Sequence, residues 1–130
     1  MVGDDFKAFL TTAGIAEGAT GWAVRIGTMP PAPDRVIALT RSGAGEVSWK
    51  STGGDEVTLQ VRVRGGKTDG AVTEAKAEEI YRALDEQVGL IGANIYLWVK
   101  AMQTPTDMGR EPETQRPEFV CNFRVGRKLT

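Results

Sequence analysis

An alternating stretch near the middle of the chain constrains the fold more than any other feature. Apolar residues occupy every second position of the segment VTLQVRVRGG (residues 57–66), and Arg62 and Arg64 lie among the polar residues between them. Successive side chains of an extended strand point to opposite faces. The sequence therefore predicts a strand with one buried apolar face and one outward basic face.

The outward arginines admit two interpretations. Arg62 and Arg64 can pair with carboxylates of a neighbouring strand, for which Glu118 is a candidate, or simply remain hydrated. Alternatively, they face a subunit boundary or a channel that contains DNA. With Lys67 they make only a small basic group, so any affinity for a phosphate backbone would be weak and strongly salt-dependent.

Length and composition indicate one domain over residues 1–130 and exclude several function classes. The 16 Lys and Arg residues nearly balance the 17 Asp and Glu residues, so no overall field attracts nucleic acid or an anionic membrane. The chain has no histidine, which excludes triads of the Ser/His/Asp type. Its single cysteine, Cys121, alternates with apolar residues and is expected to be a buried, inert thiol.

Nothing in the sequence indicates secretion or a membrane span. The N-terminal MVGDDFKAFL has acids where a signal peptide has positive charge, and the longest apolar run, IYLWV, is far shorter than the roughly 20 residues that cross a bilayer. The interpretation is a soluble intracellular product without a membrane partner.

Periodicity predicts the remaining elements. Apolar residues at helical spacing predict a first helix that stops at Gly14 and a second, stronger one over Thr73–Val88 that Gly89 ends. Strand, helix and strand across residues 57–102 indicate a right-handed crossover with two parallel strands, after which the last strand returns antiparallel. Extended segments are predicted at 22–26, 35–39, 57–64, 94–102 and 117–125.

The expected fold class is α+β. It comprises a small mixed β-sheet of about five strands, one βαβ crossover and a long C-terminal hairpin, packed against two helices. The segment NIYLWVKAM (94–102) is apolar on both faces. It is predicted to be either a central strand covered on both sides or a strand whose second face meets another molecule.

Two long loops are predicted. Residues 41–56 are rich in glycine and serine and carry Trp49, which either folds back over its own sheet or anchors an interface. The second loop, QTPTDMGREPETQRP, covers about fifteen residues where most hairpins need two to five. Loops of such length are usually functional or disordered.

Motifs for chemistry are weak. The GKT at Gly66 follows a strand and precedes a helix, but a phosphate-binding loop would need a glycine at the position of Val61. The GAGEVS at 43–48 matches only part of a dinucleotide fingerprint, and the adjacent Glu78 and Glu79 diverge on a helix. No nucleophile has a base, so the sequence predicts no enzyme, no cofactor and no metal site.

Two stretches taken together resemble a known family. LQVRVRG leads into the helix AKAEEIYRALD, and then come a strand and QTPTDMGREPETQRPEFVCNFRV. This ordered set over residues 57–127, preceded by a short helix, a proline-rich connector and two strands, resembles the tail terminator proteins of long-tailed bacteriophages. These are also called tail-completion or minor capsid proteins.

The resemblance implies an α+β subunit that assembles, usually as a hexameric ring, on the head-proximal end of the tail tube in the virion neck, after synthesis in the host cytoplasm. Such a ring ends tube polymerisation and offers a surface to the head-closure or connector protein. Double-stranded DNA passes through its lumen without sequence-specific binding. Expected partners are copies of itself, the tail-tube protein and the connector protein.

A ring closed by head-to-tail contacts uses two different patches on each subunit. We therefore hypothesise that the arginines of one copy meet acids of the hairpin of the next. The predicted interface residues are Trp49, Arg62, Arg64, Met108, Arg110, Glu111, Glu113, Arg116 and Glu118. Alternative functions are a head-closure or other neck protein, a tail-tube subunit and, on the GKT alone, a small nucleotide-binding enzyme.

Overall fold

The computed structural model describes residues 2–46 and 54–128 and confirms the α+β class. Two α-helices, a short 3-10 turn at Gly18–Thr20 and a seven-stranded sheet make up the described part, so the sheet has more strands than predicted. The helices are α1 (Val2–Thr12) and α2 (Gly70–Leu84). The strands are β1 (Ala23–Ile26), β2 (Val36–Glu46), β3 (Gly54–Arg64), β4 (Gly89–Ile91), β5 (Asn94–Ala101), β6 (Thr106–Arg110) and β7 (Pro117–Lys128).

The sheet runs in the order β1-β2-β3-β7-β5-β4, and β6 also pairs with β7. β1 and β2 are parallel, whereas the other pairs are antiparallel. β3 and β5 are parallel to each other, as predicted, but they are not neighbours because β7 lies between them. The C-terminal strand thus completes the centre of the sheet.

The predicted loop over residues 41–56 is wrong in its described part. β2 continues to Glu46 and β3 begins at Gly54, and the two strands form one antiparallel pair from Val36 opposite Arg64 to Glu46 opposite Glu56. Glycine and serine have low strand propensity, but pairing with the adjacent strand overrides it. Trp49 lies outside the described residues.

The second helix ends at Leu84, four residues before the predicted end. Asp85 is already extended, and the next residue, Glu86, donates its backbone N–H to Val99 of β5 at 2.7 Å. The chain leaves the helix because this bond and the bond from Ala101 N–H to the Asp85 carboxylate tie it to β5. As a result, Val88 is exposed instead of extending the buried helical stripe.

Both helices pack on one face of the sheet and enclose a single core. The predicted apolar face of β3 is buried, as are Phe6 and Leu10 of α1 and Ile80 and Leu84 of α2. Each such side chain contributes about 1.5–3 kcal/mol when it is removed from water. In the described part of the chain no helix covers the other face, which we call the open face. No helix there is both long and apolar enough to span a membrane.

Steric crowding explains why the turn between β3 and α2 contains glycine. A Cβ at Gly65 would overlap the Thr73 hydroxyl, which is bonded to Asp69 O at 2.7 Å in the first turn of α2. Asp69 also accepts the Gly66 N–H at 3.0 Å. Val61 lies within β3, so the GKT is a strand-to-helix turn and not the end of a phosphate-binding loop, as predicted.

Of the two predictions for residues 94–102, a central strand covered on both sides is wrong. β5 lies between β7 and the three-residue edge strand β4, and one of its faces is exposed. Tyr96 and Val99 face the core, while Ile95 and Leu97 are exposed, and an irregularity between Tyr96 and Trp98 interrupts the alternation. The alternative, that the second face of this strand meets another molecule, stays a prediction.

The predicted fifteen-residue loop is also wrong, because β6 occupies its middle and pairs with the first half of β7. The connection between these strands is only residues 111–116. β5 and β6 together follow the same edge of β7, and the Cys121 thiol of β7 lies buried beside their junction, bonded to Gln103 O at 3.1 Å. Burial raises the pKa of this thiol to about 12, which fits the prediction of an inert cysteine.

Candidate subunit interface

Arg62 has a partner within its own chain. Its Nε lies 2.6 Å from Oε1 of Glu118, on the adjacent strand β7. Glu118 is directly opposite Arg64 in the register, so the Arg62 pair is diagonal across the two strands. The cross-strand interpretation of the sequence is confirmed for this arginine.

Arg64 does not face outward, and that prediction is wrong. Its side chain is only 1% exposed and donates to the backbone oxygens of Pro30, Pro33 and Asp34 at 2.6, 2.6 and 3.2 Å. These acceptors belong to the proline connector, residues 27–35 between β1 and β2, which crosses the open face above Arg64. Burial, and then the charge of Arg116, lower the pKa of the Arg64 guanidinium from its ordinary value.

The chemistry of the connector explains the burial of Arg64. Proline has no backbone N–H, so a segment with prolines at 30, 31 and 33 has carbonyl oxygens but few donors of its own. A guanidinium supplies five N–H donors in a fixed fork and accepts nothing. Arg64 therefore satisfies a group of acceptors that the connector cannot satisfy by itself.

Arg116 holds the same connector from the C-terminal hairpin. Its Nη1 donates to Pro31 O at 2.7 Å and approaches Asp34 Oδ1 at 3.4 Å, and its Nε lies 2.6 Å from Glu111 Oε1. A hydrogen bond from Thr114, and further one from Arg116, lower the pKa of Glu111 against the opposing effect of burial. Arg116 and Glu111 thus work within one chain, at the end of the sheet where Arg64 lies.

The remaining predicted residues are more accessible. Arg110 donates from Nη1 to Lys67 O at 2.7 Å and to Gln115 O at 2.5 Å, which fixes the 111–116 turn against the β3–α2 turn. Glu113 is exposed at that turn, and Met108 is 59% exposed on β6. Together with Arg62 and Glu118 these residues lie at one end of the sheet. Their role as a subunit interface stays a prediction.

Several of the charged residues that were predicted to meet a neighbouring copy already have partners within their own chain. Arg62, Glu111 and Glu118 each have a partner in the same chain. Arg64 is enclosed by its own connector. Met108 and Glu113 are the predicted residues that the structure leaves best placed to meet a neighbour.

Sequence reasoning missed part of an exposed apolar surface at the β4 edge of the sheet. Leu90 of β4 is directly opposite Ile95 of β5. Val88 lies just before β4, and Leu97 lies two residues after Ile95 on β5. Their exposed fractions are 73%, 39%, 63% and 44% in that order. The double-sided pattern of residues 94–102 was a signal for half of this patch. Of the other half, Val88 was assigned to the second helix and Leu90 to no element.

Within residues 2–46 and 54–128 no three His, Cys, Asp or Glu side chains lie close enough together to hold a metal ion. Over the same ranges, no buried side-chain nitrogen or oxygen lacks a hydrogen-bond partner. At this end of the sheet, Arg64, Arg110 and Arg116 donate to backbone oxygens and hold those segments in place.

Comparisons with known proteins show the fold and the family of this chain. A search of curated proteins gives no match. Among solved structures, a chain described as "Virion of native gene transfer agent (GTA) particle" matches with a TM-score of 0.61 and 19% identity, covering 96% of this chain and 90% of that chain. At this identity the likeness shows the fold alone. The family model described as "Bacteriophage tail terminator protein" matches residues 9–127. The chain therefore belongs to the bacteriophage tail terminator family and is a structural protein of the phage virion tail.

Proposed function

We propose that this chain forms a ring of six copies that caps the head-proximal end of the tail tube. This ring ends tube polymerisation and provides the surface to which the head connector attaches. The match to the tail terminator family over residues 9–127 carries the proposal. DNA passes through the lumen of this ring without sequence-specific contacts, and the chain performs no catalysis.

Two features of the structure support an assembly function. Arginine side chains at one end of the sheet hold the proline connector against the open face and tie it to the C-terminal hairpin. The open face carries cations that are paired across strands, such as Arg62 with Glu118 and Arg124 with Glu56 at 2.8 Å. A surface with balanced charges suits a channel through which DNA must move without being retained.

The capping function predicts how tail tubes respond to the purified chain. Tail-tube protein that polymerises with increasing amounts of this chain should give progressively shorter tubes, because each ring blocks one growing end. Electron microscopy of the tubes and light scattering of the free chain measure tube length and ring mass. Incorporation of the chain along the whole tube would instead identify a tail-tube subunit, and hydrolysis of ATP would identify an enzyme.

The predicted interface on β6 has its own test. Met108→Glu should weaken ring assembly several-fold without changing the free energy of unfolding, because it places a charge on an exposed position of the predicted contact. Met102→Glu is the matched control, since Met102 is similarly exposed but lies outside the predicted interface. Light scattering over a concentration series measures assembly. Equal effects of the two substitutions would contradict the assignment of Met108.

A further inference from the structure

A groove with a volume of about 580 Å³ lies on the open face, between the proline connector and strand β3. Three arginines line it, and we call it the arginine groove: Arg62, Arg64 and Arg116. Its volume falls within the roughly 300–1,000 Å³ that is usual for pockets that bind small ligands. The groove is therefore large enough to receive a side chain of another molecule.

Two of the three guanidiniums keep N–H donors that the described part of the chain does not use. Arg62 bonds to Glu118 through Nε, which leaves both of its Nη atoms without a bond to a described residue. Arg116 bonds to the connector through Nη1 and within the C-terminal hairpin through Nε, and its Nη2 likewise bonds to no described residue. Because no buried side-chain nitrogen of the described ranges lacks a partner, this Nη2 must be open to solvent. Arg116 is nevertheless only 8% exposed, so the surrounding fold holds its guanidinium in place.

The arginines of the groove repel each other. Burial first, and then the charge of Arg116, lower the pKa of the Arg64 guanidinium. The nearby carboxylates of Glu111, Asp34 and Glu118 act in the opposite direction but do not cancel these effects. An anion bound between the guanidiniums offsets part of the repulsion.

A carboxylate fits the groove better than a nucleic-acid backbone does. Asp34, Glu111 and Glu118 lie in or beside the groove, and each is within hydrogen-bond distance of Arg116 or Arg62. Double-stranded DNA carries a charge about every 1.7 Å, so further phosphates would lie against these carboxylates. A single Asp or Glu side chain brings one charge, and its two oxygens match the donors of a guanidinium fork.

The walls of the groove suit an acidic side chain on a peptide. Met29, Pro30 and Pro31 form the connector side, where the aliphatic stem of a Glu side chain has apolar atoms to contact. Thr40 and Gln60 lie on the strand side. The Gln60 amide offers both a donor and an acceptor to the backbone of the peptide that carries the acid.

Another protein is a better source of this carboxylate than a second copy of the chain. In the C-terminal hairpin, Glu111 and Glu118 are bonded within their own copy. Glu113 is exposed, but it lies on the 111–116 turn, which also carries Arg116 of the groove. Two copies that meet through this one end of the sheet make a two-fold symmetric contact, which gives a pair and does not extend around a ring.

We propose that the arginine groove binds an acidic side chain of another protein of the virion, whose carboxylate accepts hydrogen bonds from the Nη atoms of Arg62 and from Nη2 of Arg116. The contact gives the chain an attachment point at one end of the open face. It goes beyond the capping function that is proposed above, and neither depends on the other.

Peptide titration followed by NMR tests the site in the free chain. The probe is acetyl-Gly-Glu-Gly-amide, and acetyl-Gly-Gln-Gly-amide is its neutral control. We expect the Glu peptide to shift the Nε–Hε signals of Arg62 and Arg116 with a roughly millimolar dissociation constant, because one carboxylate makes only a few charge-assisted hydrogen bonds. Arg82, exposed on α2, is the internal control for unspecific binding to surface arginines. Absence of these shifts, or equal shifts from the Gln peptide or at Arg82, would overturn the proposal.

A matched pair of variants tests the role of Arg62. Arg62→Met should weaken binding of the Glu peptide about fivefold or more, because it removes one of the two forks, and Arg62→Lys should retain part of the affinity. Arg124→Met is the control, since Arg124 pairs with Glu56 across strands of the same face but does not line the groove. Backbone amide signals of the core strands check that each variant is folded. Unchanged affinity in folded Arg62→Met would contradict the site.

Further titrations identify the source of the oxyanion. Inorganic phosphate and a DNA duplex of about 12 base pairs should shift the same arginine signals no more strongly than the Glu peptide does. Tighter binding of the duplex that Arg62→Met abolishes would make the groove a phosphate site and overturn the proposal. A concentration-dependent shift of Arg62 in the free chain that Glu113→Gln removes would identify a second copy as the occupant, with the same consequence. Either result leaves the tube-length experiment, and with it the capping function, untouched.

Discussion

Replacing Arg64 with methionine is expected to lower the free energy of unfolding by about 3–4 kcal/mol, which is large for one substitution. Methionine nearly matches the length of the side chain but leaves the carbonyl oxygens of Pro30, Pro33 and Asp34 without donors. The proline connector cannot replace these donors from its own backbone. Urea denaturation followed by tryptophan fluorescence measures the effect.

Arg62→Met is the matched control for this experiment. Arg62 lies two residues away on the same strand, but its side chain is partly exposed and, among the described residues, bonds only to Glu118. Loss of a pair of this kind costs below about 1 kcal/mol. Arg64→Lys should fall between wild type and Arg64→Met, because an ammonium can donate but lacks the planar fork. If Arg64→Met costs no more than Arg62→Met, the connector does not depend on this arginine.

Removal of the Asp5 carboxylate is expected to cost about 3 kcal/mol. Asp5 is 3% exposed and accepts hydrogen bonds from Tyr96 Oη at 2.6 Å, Asn94 Nδ2 at 2.7 Å and Ala93 N at 3.1 Å. Asp5→Ala leaves these donors buried or half-buried without an acceptor. Thermal and urea unfolding measure the loss. Asp4→Ala, on the exposed side of the same helical turn, should cost below about 1 kcal/mol.

The lowered pKa of Asp5 predicts that the free energy of unfolding depends on pH. Burial alone would raise the pKa of Asp5, but the hydrogen bonds from Tyr96, Asn94 and Ala93 outweigh it and hold the pKa below its ordinary value of 3.8. A group with a lowered pKa in the folded state stabilises the protein above its unfolded pKa, and this stabilisation is lost as the pH falls through the folded value. Unfolding free energies measured from pH 6 down to about pH 2 should therefore fall less steeply for Asp5→Asn than for wild type.

Substitution of Tyr96, which donates a hydrogen bond to Asp5, tests the same interaction from the donor. Burial first, and then the hydrogen bond to Asp5, raise the pKa of its phenol above the ordinary range. Tyr96→Phe should cost about 1–2 kcal/mol in wild type and much less in Asp5→Ala, because the two side chains share one interaction. Additive costs in the double variant would contradict the network.

The predictions for Arg62 and Arg64 show what an alternating sequence pattern can and cannot predict. The alternation over residues 57–64 correctly separated the buried apolar face of β3 from its polar face. It assigned the same environment to Arg62 and Arg64 because both lie on the polar face. Only the tertiary contacts separate them, since Arg64 donates to the carbonyl oxygens of the proline connector whereas Arg62 pairs with Glu118. Periodicity predicts on which face of a strand a side chain lies. It does not predict which other parts of the protein cover that face.

The prediction that the second helix extends to Val88 was wrong for a different reason. Val88 continues the helical spacing of Ala77, Ile80 and Leu84, so the sequence placed it in the helix. In the structure Glu86 bonds to Val99, which is thirteen residues further along the chain, and the backbone turns away. A bond between distant residues outweighed the local pattern. In the sequence, only the second apolar face of residues 94–102 indicated the apolar surface that results.

The sequence by itself determined the elements whose signal is local: two amphipathic helices, the alternating strands β3 and β7, a buried cysteine, the absence of a phosphate-binding loop and, through its ordered motifs, the family. Tertiary structure alone decided that β7 lies between β3 and β5, that the glycine-rich segment extends both strands of a hairpin, and that a basic side chain is buried beneath prolines. The physical reason is the range of the interactions. Alternation and helical spacing follow from the geometry of neighbouring residues, whereas strand order and the partners of a buried charge depend on groups that only the folded chain brings together.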